Sequence, residues 1–160
     1  MNTTMDFKTY SEVSRLHLHY AHILDSNDFS TWPDLFTPEC VYAIQSRENF
    51  DAGLPLCILR FESQAMLRDR VYGAAHTIYH APYYQRHIVS QPLITAEDDR
   101  LVEAETAYLV LRTHRDKLPE ILSTGRYLDR MVSTQEGLRF SQRLCIFDND
   151  LIANSLIKPI

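Results

Sequence analysis

From Gly125 to Asp150 the chain reads GRYLDRMVSTQEGLRFSQRLCIFDND, two alternating apolar–polar runs joined at Glu136–Gly137. Alternation at period two marks a half-buried β-strand, and a tight turn between two such runs makes a hairpin. The pattern continues upstream, so the second half of the sequence reads as strands at Tyr84–Ser90, Leu101–His114, Glu120–Val132 and Leu138–Phe147. Turn residues at Asp98–Asp99, Arg115–Pro119 and Glu136–Gly137 separate them. In the last strand Leu138, Phe140, Gln142, Leu144 and Ile146 are expected on one face, with Arg139, Ser141 and Arg143 beginning the other. Strands this long must curl to pack, which constrains the fold to a curved antiparallel sheet.

The first half supplies the cover. Thr9 and Glu12 have capping-box spacing, and Val13, Leu16, Tyr20, Ile23 and Leu24 recur at helical period, predicting a helix over Tyr10–Leu24. The Asp25–Ser26–Asn27–Asp28 cluster stops it. A short second helix carries Trp32, Leu35 and Phe36, with Pro33 in its first turn. Strands follow at Cys40–Ser46 and Leu56–Phe61 around the turn-rich Arg47–Pro55, and a third helix opens at Glu62 or Ser63 with Leu67, Val71, Ala74 and Ala75 on one face. The expected order is α-α-β-β-α-β-β-β-β, an α+β fold in which a six-stranded, mostly antiparallel sheet curls around three helices. That order is the one of the NTF2-like cone, here a single (SnoaL-like) domain over residues 1–160. The scaffold serves enzymes and structural subunits alike, so it does not assign a function.

With a net charge of −5 and Arg residues interspersed with acids, the chain lacks the basic face that nucleic-acid binding needs. No apolar run approaches the roughly 20 residues of a membrane span. MNTTMDFKTY has neither a basic n-region nor an apolar h-region, and Cys40, Cys57 and Cys145 are an odd number in apolar contexts. A cytoplasmic protein with buried free thiols is the expectation.

Three histidines crowd the first helix, His17, His19 and His22. His17 and His19 lie about 200° apart on a helix, so the three cannot converge on one ion. His17 and His22 have H-x4-H spacing, but Ser14 stands where an iron site would place a carboxylate. His76 and His80 lack an intervening Glu. No cysteine has a His at the Cys-x-His or Cys-x-x-His spacing of a Rieske cluster, and no glycine-rich phosphate loop or nucleophile elbow occurs. What remains is acid–base chemistry inside the cone, for which Asp25, Tyr42, His76, His87 and Tyr108 are the polar candidates beside apolar runs. The alternative is that these groups satisfy the core's hydrogen bonds.

Six segments occur in register: WPDLFTPECVYAI (Trp32–Ile44), ENFDAGLPL (Glu48–Leu56), MLRDRV (Met66–Val71), YYQRHIVS (Tyr83–Ser90), GRYLDR (Gly125–Arg130) and GLRFSQRLCIFD (Gly137–Asp148). Together they resemble the small (β) subunit of Rieske-type aromatic-ring-hydroxylating dioxygenases, in the branch acting on benzoate-type acids such as salicylate, anthranilate and terephthalate. The resemblance implies a mainly structural subunit that trimerises and docks under three large α subunits. It places the Rieske iron–sulfur cluster, the mononuclear iron and the substrate pocket on the α subunit, with electrons supplied by a reductase, with or without a ferredoxin. It carries no catalytic or metal residue onto this chain.

Candidate contact residues for such an assembly are Arg68, Asp69, Arg70 and Arg86, with His87 beside them, and the apolar tail LIANSLIKPI, through Leu151, Ile152, Leu156, Ile157 and Ile160. The long RENFDAGLPL loop is a further candidate contact. Two other readings stay open at this level: a free-standing isomerase, cyclase or dehydratase using an acid–base pair in the cone, and a small-ligand-binding module of the same fold.

Overall fold

The computed structural model describes residues 7–149 and 156–160. Helix α1 (Phe7–Asp25) buries Val13, Leu16, His17, Tyr20, Ala21, Ile23 and Leu24, the stripe that a 3.6-residue period selects. It starts earlier than the capping-box spacing predicts. Thr9 lies within the helix, and its hydroxyl donates across the fold to Glu97 at 2.6 Å. A 3-10 turn, Trp32–Leu35, takes the place of the expected second helix, and Phe36 already belongs to strand β1 (Phe36–Ser46).

A short helix α2 (Arg47–Asp51) then occupies the predicted turn-rich stretch. Ser46 caps it by accepting a hydrogen bond from the Asn49 amide at 3.2 Å. Gly53, at φ 68°, lets the chain reverse soon after. Strand β2 is only Leu59–Phe61. Helix α3 (Gln64–His76) begins where the sequence predicts, with the Ser63 hydroxyl accepting from the Met66 amide. It buries Leu67 and Ala74, half-buries Val71 and leaves Ala75 exposed.

Strands β3 (Tyr83–Val89), β4 (Leu93–Glu97), β5 (Leu101–His114), β6 (Glu120–Thr134) and β7 (Gly137–Phe147) complete the fold. Among the described residues the sheet therefore has seven strands rather than six, in the order β2-β1-β7-β6-β5-β3, with β4 also pairing β5. The additional strand β4 is only five residues, Leu-Ile-Thr-Ala-Glu, too short and without the apolar–polar alternation that would announce it. It is held by an Asx turn in which Asp98 accepts from the Arg100 and Leu101 amides at 2.8 Å each. Five of the pairings are antiparallel, and β1 against β7 is parallel.

The last strand departs from simple alternation. The register between β6 and β7 shifts at Arg130/Met131, where Met131 pairs with Phe140 and Arg130 with Gln142. Ser141 is thus the extra residue of a β-bulge, which reverses the facing of everything after it. Phe140 faces the core as expected. Beyond the bulge, however, it is Arg143, Cys145 and Phe147 that follow it inward, not Gln142 and Leu144.

Where β6 crosses β7 at Gly125, a Cβ would collide with the main-chain carbonyl of Ile146. Only glycine permits that approach. Gly125→Ala is expected to cost about 1–3 kcal/mol, the range of an overpacked core, read as a lower urea midpoint with unchanged m-value.

Candidate functional site

The concave face of the sheet and the buried stripe of α1 enclose the cone. At its centre lies Arg143, fully buried. Its Nε and Nη2 donate to the two carboxylate oxygens of Asp129 on β6, at 2.8 and 2.7 Å. The guanidinium carbon is 4.1 Å from the ring centroids of Tyr20 and Tyr127 and 4.0 Å from that of Phe140. A planar, weakly hydrated cation suits such a box, which lysine would fill poorly.

His17 adds a third member. Its Nε2 is 2.9 Å from Asp129 Oδ2, off the line of a good hydrogen bond, and its Nδ1 lies 3.1 Å from the Thr106 hydroxyl on β5. Burial lowers the His17 pKa below its ordinary value, against the pull of Asp129, so the ring is neutral at pH 7. Burial also opposes the charge on Asp129, but Arg143 and then His17 more than offset it and hold the carboxyl below its usual range. Arg143 likewise stays ionised: burial disfavours its charge, and the Asp129 carboxylate outweighs that penalty.

The chain's own tail joins the same core. Ile160 is fully buried. Its main-chain oxygen accepts from Tyr20 at 2.6 Å and Tyr42 at 3.0 Å, and its amide donates to the Tyr42 hydroxyl at 3.1 Å. Arg70 on α3 donates to the carbonyls of Leu156 (2.6 Å) and Ile157 (2.9 Å), and Gln85 on β3 donates to that of Pro159 (2.9 Å).

Of the five polar candidates, the structure brings Asp25 and His87 together. The Asp25 carboxylate accepts from His87 Nδ1 at 2.6 Å and from the His87 amide at 3.0 Å through both oxygens. The His87 side chain is fully buried, and its Nε2 has no partner among the described residues. This is the layout of an acid–base pair, but closed to any substrate. Tyr42 is engaged by Ile160, and Tyr108 meets the Ser123 hydroxyl at 3.1 Å. Burial raises both phenol pKa values, so neither is a base at neutral pH. His76 lies outside the cone, exposed near the end of α3 and stacked on Tyr72 at 4.3 Å.

The contact candidates divide similarly. Arg68 and Asp69 are exposed, Arg68 pairing with Asp34 at 2.7 Å, and Arg86 is exposed 3.8 Å from Asp25. Arg70, Leu156, Ile157 and Ile160 have intramolecular roles instead, the three apolar residues being buried in this chain's own core. Leu151 and Ile152 lie outside the described residues.

Sequence reasoning missed the Arg143–Asp129–His17 network, because the Ser141 bulge hides the inward facing of Arg143. Among the described residues no group of three or more His, Cys, Asp or Glu side chains could hold a metal ion, and no helix is long and apolar enough to cross a membrane.

The SnoaL-like domain family matches residues 6–144. The small subunit of anthranilate 1,2-dioxygenase from Burkholderia cepacia is 35% identical over 159 residues, covering 99% of each chain. A β subunit of the terminal oxygenase component of terephthalate 1,2-dioxygenase from Comamonas sp is 28% identical over 93% of this chain and 97% of its own. A solved chain from Novosphingobium aromaticivorans, assigned as the β subunit of an aromatic-ring-hydroxylating dioxygenase, superposes with a TM-score of 0.87 at 32% identity, covering 96% of this chain and 97% of its own. The chain belongs to the SnoaL-like family and, within it, to the small subunits of aromatic-ring-hydroxylating dioxygenases.

Two outcomes follow from the buried network. Asp129→Asn or Arg143→Met alone strands a buried partner and is expected to cost about 3–5 kcal/mol in chemical denaturation, with the double replacement milder than the sum. His17 sets a pH dependence: the unfolded chain protonates it near pH 6.5 while the folded chain resists, so stability is full above about pH 6.5 and falls below it. Urea midpoints should drop between about pH 7.5 and pH 5.5, and His17→Gln should flatten that slope.

Proposed function

We propose that this chain assembles with an iron-containing large subunit to form a dioxygenase that hydroxylates an aromatic acid during catabolism of aromatic compounds. In this reading the chain is a structural subunit. The Rieske cluster, the mononuclear iron and the substrate pocket lie on the large subunit, three small subunits associate as a trimer beneath three large ones, and a reductase, with or without a ferredoxin, supplies electrons. The whole chain acts as one cytoplasmic domain. The observation that carries the reading is the closed polar interior: Arg143, Asp129, His17 and Ile160 are all buried and engaged within this chain. The end-to-end identity with dioxygenase small subunits supports it.

The exposed charges Arg68, Asp69 and Arg86, and the exposed apolar residues Leu54 and Leu56 of the loop after α2, are the proposed contacts with neighbouring subunits. The Asp25–His87 pair is the one feature that favours an acid–base enzyme, and burial of the His87 side chain counts against that reading.

Co-expression with a Rieske-type large subunit decides between them. The expected result is a co-purifying complex that hydroxylates an aromatic acid, with iron in the complex and none in stoichiometric amount on the small subunit purified alone. Absence of both complex and hydroxylation would overturn the proposal. In that complex His87→Asn is expected to lower thermal stability while leaving the turnover of intact complex within about twofold, as for a group that touches no reacting atom.

A further inference from the structure

Among the described residues Lys158 is a nearly buried cation without an ion pair, the Asp25 carboxylate acting on it only at longer range. Lys158 is only 7% exposed, and no carboxylate among the described residues comes within ion-pairing distance of its ammonium. The group instead lies 4.9 Å from the centroid of the Tyr83 ring. A cation–π contact recovers part of the lost hydration, about 0.5–2 kcal/mol, but satisfies none of the three N–H donors.

Lys158 is also held in place from both sides. Arg70 grips the carbonyls of Leu156 and Ile157 before it, and Gln85 grips that of Pro159 after it. It lines a cleft of about 680 Å³ between α3, the loop of residues 27–30 and β3. That volume is in the range of small-molecule sites. Phe29, Val71, Tyr72, Tyr83 and Tyr84 contribute apolar and aromatic wall, and Arg115 adds a second cation. The acid in the lining, Asp28, is exposed and already accepts the Ser30 amide at 2.9 Å. Arg68, also in the lining, is neutralised by Asp34.

We propose that this cleft binds a small aromatic monocarboxylate on the small subunit itself, its carboxylate on Lys158 and Arg115 and its ring against the tyrosines. A carboxylate gives the ammonium a charged acceptor in a partly desolvated site, where a charge-assisted hydrogen bond is strong. A flat ring matches the aromatic wall, and the clamped tail means little ordering accompanies binding. The site uses none of Arg143, Asp129 or His17 and does not depend on the dioxygenase reading.

Titration calorimetry and saturation-transfer NMR on the full chain, without a large subunit, test it with benzoate, benzyl alcohol and acetate. Benzoate is expected to bind, with benzyl alcohol and acetate each roughly tenfold weaker because each lacks half of the recognised chemistry. Lys158→Met should weaken benzoate by roughly tenfold, and Ala75→Trp, which fills the cleft from an exposed position, should abolish binding. If Lys158→Met disturbs the tail, the Ala75→Trp and Arg115→Gln variants, both at exposed positions, give the same readout. The proposal is overturned if benzoate does not bind by about 10 mM. It is equally overturned if benzyl alcohol binds as well as benzoate, or if the variants bind benzoate unchanged. Loss of benzoate binding leaves the co-expression result untouched, so the two readings fail separately.

Discussion

The buried Arg143–Asp129 pair is the constraint around which the cone is arranged. Removing two charges from water costs several kcal/mol per ion unless geometry and further contacts offset it. Here the offset draws on four elements: His17 and Tyr20 from α1, Thr106 from β5, Asp129 and Tyr127 from β6, and Phe140 and Arg143 from β7. Any slip in strand register or rotation of α1 would leave one charge unanswered. The pair therefore acts as a registry device, specifying one packing among the many that an apolar filling would tolerate.

The tail extends the same logic outward. Ile160 meets Tyr20 and Tyr42 at the bottom of the cone, and Arg70 and Gln85 fix the segment above it. Most of the polar groups around Arg143 engage one another across the core, while Arg143 Nη1, the Tyr127 hydroxyl and His87 Nε2 have no partner among the described residues. The fold itself does not assign a function. A closed polar interior suits a subunit whose contribution is its surface.

Much of this was legible in the chain. The period-two alternation and the turns at Asp98–Asp99 and Glu136–Gly137 mark the long strands, and Ser63 marks the start of α3, because these signals are local hydrogen-bonding and facing preferences. Asp25 and His87 are both legible as polar residues beside apolar runs, yet nothing in their spacing of 62 positions shows that they meet at 2.6 Å. Strand β4 and helix α2 are not legible, being five residues each and held by tertiary pairing and a single Ser46 cap. Simple alternation through Ser141 puts Arg143 on the opposite face, and the bulge reverses it.

The sequence alone therefore determined the long helices and strands, the curvature of the sheet and the family, since each follows from local periodicity or from residues read in order. Only the tertiary structure decided what the cone contains. A bulge of one residue turned Arg143 inward, and the tail returned to set Ile160 against Tyr20 and Tyr42. Both depend on contacts between residues far apart in the chain, on which local preference is silent. The final hairpin is thus both the plainest part of the sequence and the part whose chemistry the sequence concealed.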